Sequence, residues 1–232
     1  MTSTSEIGAA FRKALVKATV VLGILAGVLF GGSGDGRWVA AWLLMAVFAT
    51  GQLAAFQEMK RQPDLLVERS KVQPGTKRWD KLLVALLAVV VPLLTWITAA
   101  LDHRFGWTGR EPIVNVGAGL VLMLLGFRLI QWAIAQNRFF AATVRIQTDR
   151  GQTVVSSGPY AYVRHPGYVG MLAFTIGTPL ALGSRWALLP AALGVVVLVV
   201  RTALEDGTLQ AELPGYADYT RRVRSRLVPH VW

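Results

Sequence analysis

Long apolar blocks alternate with short polar, mostly basic segments along this chain. The blocks cover residues 14–31, 39–56, 82–101, 114–135, 168–182 and 186–204. An α-helix needs about 20 apolar residues to cross the hydrocarbon core of a bilayer, and most of the blocks approach that length. The pattern therefore predicts an all-α integral membrane protein with about six transmembrane helices.

The last two blocks are joined by only three residues, Gly183-Ser184-Arg185. So short a connection predicts a C-terminal helical hairpin. A hairpin of this kind need not cross the bilayer fully, so a total of about five transmembrane helices is the alternative.

Lysine and arginine concentrate in alternate connections between the blocks. They are frequent in the N-terminal segment, in 57–81, in 136–167 and in the tail from residue 201, and sparse in the loops between. Because basic loops stay on the cytoplasmic side, we expect both termini and the C-terminal polar region to be cytoplasmic. The first block resembles a signal peptide, but further spans follow and no cleavage site is evident, which favours a retained first helix.

The composition agrees with a membrane protein, since 53% of the residues are hydrophobic and 16% are charged, against about a quarter charged in soluble domains. A net charge of +11 would suggest nucleic acid in a soluble protein, but here the topology accounts for it. The lack of cysteine excludes disulfides, cysteine-bound metals and thiol nucleophiles. His103, His165 and His230 lack metal-ligand spacing, so no metal site is predicted.

The densest cluster of polar and aromatic residues is the run 158–168, directly before an apolar block. Pro166 suits the first turn of a helix, where its missing N–H does no harm. Tyr160, Tyr162 and Tyr168 offer π-faces that attract cations. An interfacial aromatic belt with a basic anchor is the alternative interpretation.

Charged residues near the ends of the blocks admit two interpretations each. Arg201 and Glu205 share a helix face, so the carboxylates of Glu205 and Asp206 either face a polar ligand or belong to a solvated ion pair. The arginine-rich tail 213–232 is consistent with an anchor on anionic lipid. Arg128, inside the fourth block, either extends to the nearby interface or lines a polar cavity.

Taken in this order, the motifs resemble those of the isoprenylcysteine carboxyl methyltransferase family, in particular its bacterial branch, and of the related phospholipid N-methyltransferases. The shared pattern is Gly-x-Tyr, Arg-His-Pro-x-Tyr-x-Gly, a helical hairpin, Arg-x-x-x-Glu followed by a second acid, and Gly-Tyr-x-x-Tyr before a proline. It corresponds here to 158–160, 164–170, 201–206, 215–219 and Pro229. Glu68-Arg69 and Trp79-Asp80 also look like the bacterial branch.

The resemblance implies S-adenosyl-L-methionine as the cofactor, bound on the cytoplasmic side. The positions that match the family's cofactor-binding residues are Gln152, Thr153, Val154, Val155, Tyr160, His165, Pro166, Gly167, Tyr168 and Glu205. Arg201 matches an arginine tied to the substrate, and Arg201 and Glu205 are the implied catalytic residues. The chain would then consist of N-terminal transmembrane helices over 1–136 and a catalytic region over 137–232. Gln152 stands where the eukaryotic enzymes tend to have histidine, and Asp206 where a glutamate is usual.

Methyl transfer from a sulfonium is an in-line displacement in which the protein mainly positions and desolvates the reactants. A carboxylate acceptor needs no base and would be oriented by Arg201. An amine or thiol acceptor needs proton removal, for which Glu205 and His165 are the candidates. The expected reaction is thus methylation of a lipophilic substrate, either at a carboxylate oxygen or on a lipid.

Two other functions fit parts of the pattern. Membrane sterol reductases have a comparable C-terminal half and use NADPH, although the acidic pair after Arg201 favours the methyltransferase. A transporter or scaffold is the second alternative, but transporters often have repeats and midplane ionisable groups, and this sequence has no repeat. The residue usage is typical of a bacterium, so we expect an inner-membrane protein that contacts lipid and a lipophilic substrate, and no nucleic acid.

Overall fold

Helices form the fold throughout the described part of the chain. The computed structural model describes residues 3–70, 72–109, 112–229 and 231–232, and these contain no β-strand. The α-helices among them are α1 (Thr4–Ala26), α2 (Val39–Arg61), α3 (Pro63–Arg69), α4 (Arg78–Ala85), α5 (Val91–Phe105), α6 (Ile113–Gln136), α7 (Pro166–Ala181), α8 (Leu188–Glu212) and α9 (Tyr216–Arg222). The all-helical prediction is confirmed.

Within the described ranges, five helices are long and apolar enough to cross a membrane: Thr4–Gly31, Val39–Arg61, Arg78–Phe105, Ile113–Gln136 and Leu188–Glu212. The fifth apolar block, 168–182, forms α7, which has 16 residues. At 1.5 Å per residue α7 is about 24 Å long, short of the roughly 30 Å hydrocarbon core. The protein is therefore an integral membrane protein, and a sixth full span stays a prediction.

Two of the spans contain a π-helical turn. Gly27–Gly31 extends α1 in this form, and Leu86–Val90 joins α4 to α5 without a break. Short π-turns inside α-helices are frequent at functional sites. The second turn fits that tendency, because Leu87 and Ala88 line the cavity described below.

Glycines bring α6 directly against α7. A Cβ atom on Gly126 would lie 2.6 Å from the carbonyl oxygen of Gly170, and one on Gly177 would lie 2.8 Å from the carbonyl oxygen of Gly119. Small residues at such positions allow two membrane helices to approach backbone to backbone. Because α6 and α7 are consecutive, this packing fixes both ends of the long connection between them.

The predicted hairpin of α7 and α8 is anchored at its loop by Asp102, whose carboxylate is buried at the end of α5. Asp102 accepts hydrogen bonds from the Ser184 hydroxyl at 2.5 Å and from the backbone N–H of Thr108 at 2.7 Å. A buried carboxylate needs such donors to offset its desolvation. The hairpin loop is therefore held at the end of α7 that lies away from the Arg-His-Pro motif.

Arg128 lies on the outer face of α6 and is exposed. Leu125 and Trp132 on the same helix are 61% and 44% exposed, as expected of a surface that contacts lipid. Arg128 is eight residues from Gln136, the end of the helix, or about 12 Å along the axis. It lines neither of the two cavities described below, so a side chain that extends to the interface fits the structure better than a cavity residue.

Candidate active site

A cavity of about 310 Å³ lies where the N-terminus of α7, the C-terminal half of α8 and the 137–165 connection meet. Its wall contains all but one of the residues predicted for the site, namely Gln152, Thr153, Val154, Val155, Tyr160, His165, Gly167, Tyr168, Arg201 and Glu205. Pro166, the exception, begins α7 and is fully buried. The structure thus brings the predicted residues together, while their roles stay predictions.

The 137–165 connection is held in place by side chains rather than by strands. Gln147 is 1% exposed, and its side-chain amide donates to the carbonyl oxygen of Phe139 at 2.7 Å. The backbone N–H of Gln147 in turn donates to Oε1 of Gln152 at 2.7 Å. At the other end, the Asn137 amide donates to the Tyr160 hydroxyl at 3.2 Å. The side-chain carbonyl of Gln152 therefore accepts a hydrogen bond from the connection itself. Both glutamines line the cavity.

Asp206 is the centre of the polar network behind the cavity, and its side chain is 0% exposed. Arg164 donates to it twice, from Nε at 2.7 Å and from Nη2 at 2.8 Å. Arg226 Nε donates at 2.9 Å, the Tyr216 hydroxyl donates at 3.0 Å, and His165 Nε2 lies at 3.2 Å. A paired and fully hydrogen-bonded carboxylate of this kind holds elements together. Asp206 therefore joins α8 to the Arg-His-Pro motif and the tail.

The tail folds back onto the motif instead of serving only as a lipid anchor. The backbone N–H of Arg164 donates to the carbonyl of Ser225 at 3.0 Å, and that of His165 donates to the carbonyl of Arg226 at 3.0 Å. The Tyr219 hydroxyl donates to the carbonyl of Tyr160 at 2.7 Å. Arg222 and Arg224 of the tail are exposed, and their contact with anionic lipid stays a prediction. His230 lies outside the described residues.

Glu205 differs sharply from its neighbour Asp206. It is only partly buried, lines the cavity and has one hydrogen bond among the described residues, which it accepts from the Tyr168 hydroxyl. Two carboxylate oxygens offer about four acceptor positions. Glu205 can therefore accept further hydrogen bonds from a ligand in the cavity, whereas Asp206 is already saturated.

Arg201 bonds to Asp80 and not to Glu205. Its Nε donates to Oδ1 of Asp80 at 2.7 Å, and its Nη2 lies 3.3 Å from Oδ2 of the same residue and donates to the carbonyl of Ala142 at 3.0 Å. The guanidinium also lies 5.2 Å from the centre of the Tyr168 ring. Arg201 is buried, so the alternative of a solvated ion pair with Glu205 is wrong.

Most of the motif tyrosines do not form an interfacial belt. Tyr160 and Tyr168 are buried in the cavity wall, and only Tyr162 is exposed, at 69%. Burial raises the pKa of Tyr160 above its ordinary value, since the charged phenolate would lose its hydration. Tyr160 therefore stays neutral and offers a π-face and a hydroxyl to the cavity. Only Tyr162 has the exposure that the belt interpretation requires.

The N-terminal half contributes residues whose roles the sequence did not reveal. Lys17 from α1, Arg69 from α3 and Leu87 from the π-turn line the cavity, and Asp80 from α4 holds Arg201. The sequence signal for Arg69 and Asp80 is the resemblance of Glu68-Arg69 and Trp79-Asp80 to the bacterial branch of the family. The cavity thus draws residues from both sides of the boundary predicted at 136/137.

In the described residues, no group of three or more His, Cys, Asp or Glu side chains is arranged to hold a metal.

Comparison with known proteins identifies the part of the chain that carries the motifs. Residues 114–212 match the family model for phospholipid methyltransferases. The match covers less than half of the chain. The matched segment begins in α6 and ends with α8, and it contains the 137–165 connection, the Arg-His-Pro motif, Arg201 and both carboxylates.

Proteins similar to this chain carry the name of the family that the motifs resemble. Protein-S-isoprenylcysteine O-methyltransferase of Rattus norvegicus is 31% identical over 147 residues, which are 60% of this chain and 50% of the rat protein. The protein of the same name from Homo sapiens is 32% identical over 95 residues, 40% of this chain and 33% of the human protein. The predicted resemblance to the isoprenylcysteine carboxyl methyltransferases is confirmed, although the chain spans only half or less of these relatives.

A solved structure also aligns with this chain. It is that of a eukaryotic intramembrane Ras methyltransferase, an isoprenylcysteine carboxyl methyltransferase. The alignment covers 98% of this chain and 94% of that one, with 15% identity and a TM-score of 0.48.

Proposed function

We propose that this protein is an integral membrane methyltransferase that transfers a methyl group from S-adenosyl-L-methionine to a lipophilic acceptor. The observation that carries the proposal is the convergence of the matched residues on one cavity, in which Glu205 has a single hydrogen-bond partner among the described residues. The relatives named as isoprenylcysteine O-methyltransferases support the reaction class.

The residues in the cavity fit the chemistry of the proposed cofactor. The volume of about 310 Å³ lies within the range of small-molecule sites. Glu205 can accept hydrogen bonds from an ammonium or ribose hydroxyl, and Gln152 keeps its side-chain NH₂ for an acceptor on the ligand. The rings of Tyr160 and Tyr168 offer π-faces, which attract cations such as a sulfonium. The cofactor would be held by 152–155, Tyr160, 165–168 and Glu205.

The surrounding residues determine which acceptor chemistry the site can support. Bound S-adenosyl-L-methionine supplies an electrophilic methyl group, so the protein needs only to align the acceptor and exclude water. His165 Nε2 is already engaged by Asp206 and Tyr216, which leaves Glu205 as the remaining candidate base. A carboxylate acceptor needs no base. We therefore favour O-methylation of a carboxylate, with Arg201 held in position by Asp80.

A second cavity supports a lipophilic acceptor. It measures about 170 Å³, lies among the transmembrane helices and shares Leu87 and Met171 with the first cavity. Phe48, Phe127 and Phe174 contribute to its largely apolar wall. Burial of an apolar chain there would be favourable by about 25 cal/mol per Å² of apolar surface. The apolar part of the acceptor would occupy this space.

We further propose that the first cavity opens to the cytoplasm of a bacterial cell and that both termini are cytoplasmic. The support is the positive charge of the segments around it. Lys17 and Arg69 line the cavity, and the remaining basic loops belong to the same side by their alternation along the chain.

Ligand binding by the full chain in detergent tests the proposal. We expect S-adenosylhomocysteine to raise the melting temperature and NADPH to leave it unchanged. Glu205→Ala should weaken S-adenosylhomocysteine binding by at least about tenfold, because hydrogen bonds to a charged group are lost, and should leave the unliganded melting temperature nearly unchanged. Glu212→Ala, at a half-exposed position on the same helix, is the matched control. Stabilisation by NADPH alone would favour the reductase alternative, and retained affinity in Glu205→Ala would refute the role of Glu205.

A further inference from the structure

Arg69 lines the first cavity, and the proposed function gives it no part in binding the cofactor or the acceptor. It ends α3 and lies outside residues 114–212, which match the methyltransferase family. Its Nη1 donates to the carbonyl oxygen of Phe140 at 3.0 Å, and its guanidinium carbon lies 5.5 Å from the centre of the Phe140 ring. The side chain is partly buried and lines the first cavity. A backbone carbonyl and an aromatic face therefore hold this guanidinium at the cavity wall.

Arg69 differs from the other arginines of that wall because it has no counter-ion in the part of the chain that the structure describes. Each of the others is paired with a carboxylate: Arg145 with Glu68 at 2.8 Å, Arg164 with Asp206 at 2.7 Å and Arg201 with Asp80 at 2.7 Å. Within the described ranges, no ion pair joins Arg69 to a carboxylate. Partly buried charges are normally paired, because desolvation of an isolated charge is unfavourable. Arg69 therefore leaves a positive charge in excess among the arginines of the wall; Glu205, the carboxylate of the same wall, is bonded by Tyr168 and not by Arg69.

Neighbouring cations make this excess larger. Lys17 lines the same cavity. Burial, together with the charge of Arg201, lowers the pKa of Arg69 from its ordinary value, although a guanidinium remains protonated at neutral pH. An anion bound beside Arg69 would relieve its repulsion with Arg201, whereas an ammonium group at that place would add to it.

Arg69 has more free N–H donors for a bound anion than Arg201 has. Two nitrogens of Arg201 are occupied by Asp80 and the carbonyl of Ala142. In Arg69 one nitrogen donates to a carbonyl, and a guanidinium carries five N–H donors in a planar fork that matches a carboxylate. Leu87 and Met171, which lead to the apolar second cavity, line the same space.

We propose that Arg69 binds a ligand carboxylate in this cavity and so selects acidic amphiphiles over neutral or cationic ones. The inference rests on the proposed function for the identity of the ligands. Two carboxylates would be available there, that of the acceptor and that of the amino-acid part of the cofactor. The apolar route past Leu87 and Met171 favours the acceptor. Arg69 would then be a specificity-determining residue supplied by the loop between the second and third spans.

Binding measurements with matched ligands test the inference. The full-length protein in detergent is titrated with N-acetyl-S-farnesylcysteine and with its neutral carboxamide, in the presence of S-adenosylhomocysteine. We expect wild type to prefer the acid by about 10- to 100-fold, since a charge-assisted pair is lost in the amide. Arg69→Met should abolish this preference and Arg69→Lys should retain part of it. Arg61→Met, which removes a side chain 77% exposed, should behave as wild type.

A second pair of ligands distinguishes the two carboxylates. S-adenosylhomocysteine carries the amino-acid carboxylate, and methylthioadenosine lacks it. If Arg69 binds the acceptor, Arg69→Met keeps its affinity for both nucleosides, and this retained binding also shows that the variant is folded. If Arg69 binds the cofactor instead, the variant loses affinity for S-adenosylhomocysteine alone, while methylthioadenosine binding reports the fold; this result would overturn the selection of the acceptor by Arg69.

The inference is overturned if Arg69→Met binds the acid, the amide and both nucleosides as wild type does, or if it loses acid and amide equally. It is also overturned if wild type shows no preference for the acid over the amide. Failure of wild type to bind S-adenosylhomocysteine would instead count against the proposed function, and the acid-amide comparison would still decide the role of Arg69.

Discussion

The adjacent carboxylates Glu205 and Asp206 should respond to substitution in opposite ways. Asp206 is completely buried and accepts hydrogen bonds from Arg164, Arg226 and Tyr216. Asp206→Asn keeps the shape of the side chain but removes its charge. Two guanidinium groups would then lose their carboxylate, and the amide NH₂ would face an arginine N–H. We therefore expect Asp206→Asn to destabilise the fold.

The size of the effect follows from the burial of the network. Removing one partner of a buried ion pair typically costs about 3–5 kcal/mol. The Arg164 side chain is 6% exposed and bonds Asp206 through two nitrogens, whereas Arg226 is 31% exposed and should contribute less. For a chain of this length, 1 kcal/mol corresponds to roughly 2–4 °C in melting temperature. The expected decrease is therefore about 6–20 °C.

Thermal unfolding in detergent, followed by circular dichroism or tryptophan fluorescence, measures this decrease. Asp218→Asn is the matched control, because Asp218 forms a surface ion pair with Arg221 in which both side chains are more than 70% exposed; such pairs contribute about 0–1 kcal/mol. Glu205→Gln should melt close to wild type. The account assigns a structural role to Asp206 and a ligand-binding role to Glu205. It is refuted if Asp206→Asn melts within about 3 °C of wild type, or if Glu205→Gln is the less stable of the two.

Three further substitutions probe the packing, the tyrosines and the position of Arg201. Gly126→Val should lower the melting temperature, because its Cβ would lie 2.6 Å from the carbonyl oxygen of Gly170, whereas Gly117→Ala on the same helix has open space and should be tolerated. Burial raises the pKa of Tyr219, so this side chain should remain neutral well above pH ~10. The unfolded chain then loses the Tyr219 proton at a lower pH than the folded protein does, so stability falls as the pH rises. An absorbance titration in which Tyr219→Phe removes a phenolate transition of ordinary pKa would contradict this. Asp80→Ala should reduce the methyl-transfer rate by about 10- to 100-fold, because Arg201 loses the carboxylate that positions it, while the affinity for the cofactor changes little. An unchanged rate would show that methyl transfer does not need Arg201 in this position.

The helices could be predicted well because a membrane span has a simple compositional requirement. Their ends could not, since α2 continues through polar residues to Arg61 and α8 continues to Glu212, beyond the apolar blocks that ended at 56 and 204. Helical hydrogen bonds satisfy the backbone there, whatever the polarity of the side chains. The close contact of α6 and α7 had a readable signal in the glycine pairs 119/126 and 170/177, each spaced by seven residues.

The predicted site residues come from a single stretch of motifs, and the structure groups them around one cavity. The partners that hold them come from far away in the sequence. Asp80 and Arg201 are 121 residues apart, and Glu68 and Arg145 are 77 apart. No periodicity or spacing in a single sequence reports such pairs. For this reason Arg201 was identified as a site residue, but the carboxylate that bonds it was not.

The proposed function is tested most directly by transfer of a labelled methyl group. The purified full chain is incubated with S-adenosyl-L-methionine labelled in its methyl group and with either N-acetyl-S-farnesylcysteine or a total lipid extract of a bacterial membrane. We predict that label enters the organic phase with wild type and not with Glu205→Ala, and that mild alkali releases it as methanol, as expected of a methyl ester. Label confined to water-soluble products, or no transfer by a protein that binds S-adenosylhomocysteine, would contradict the account.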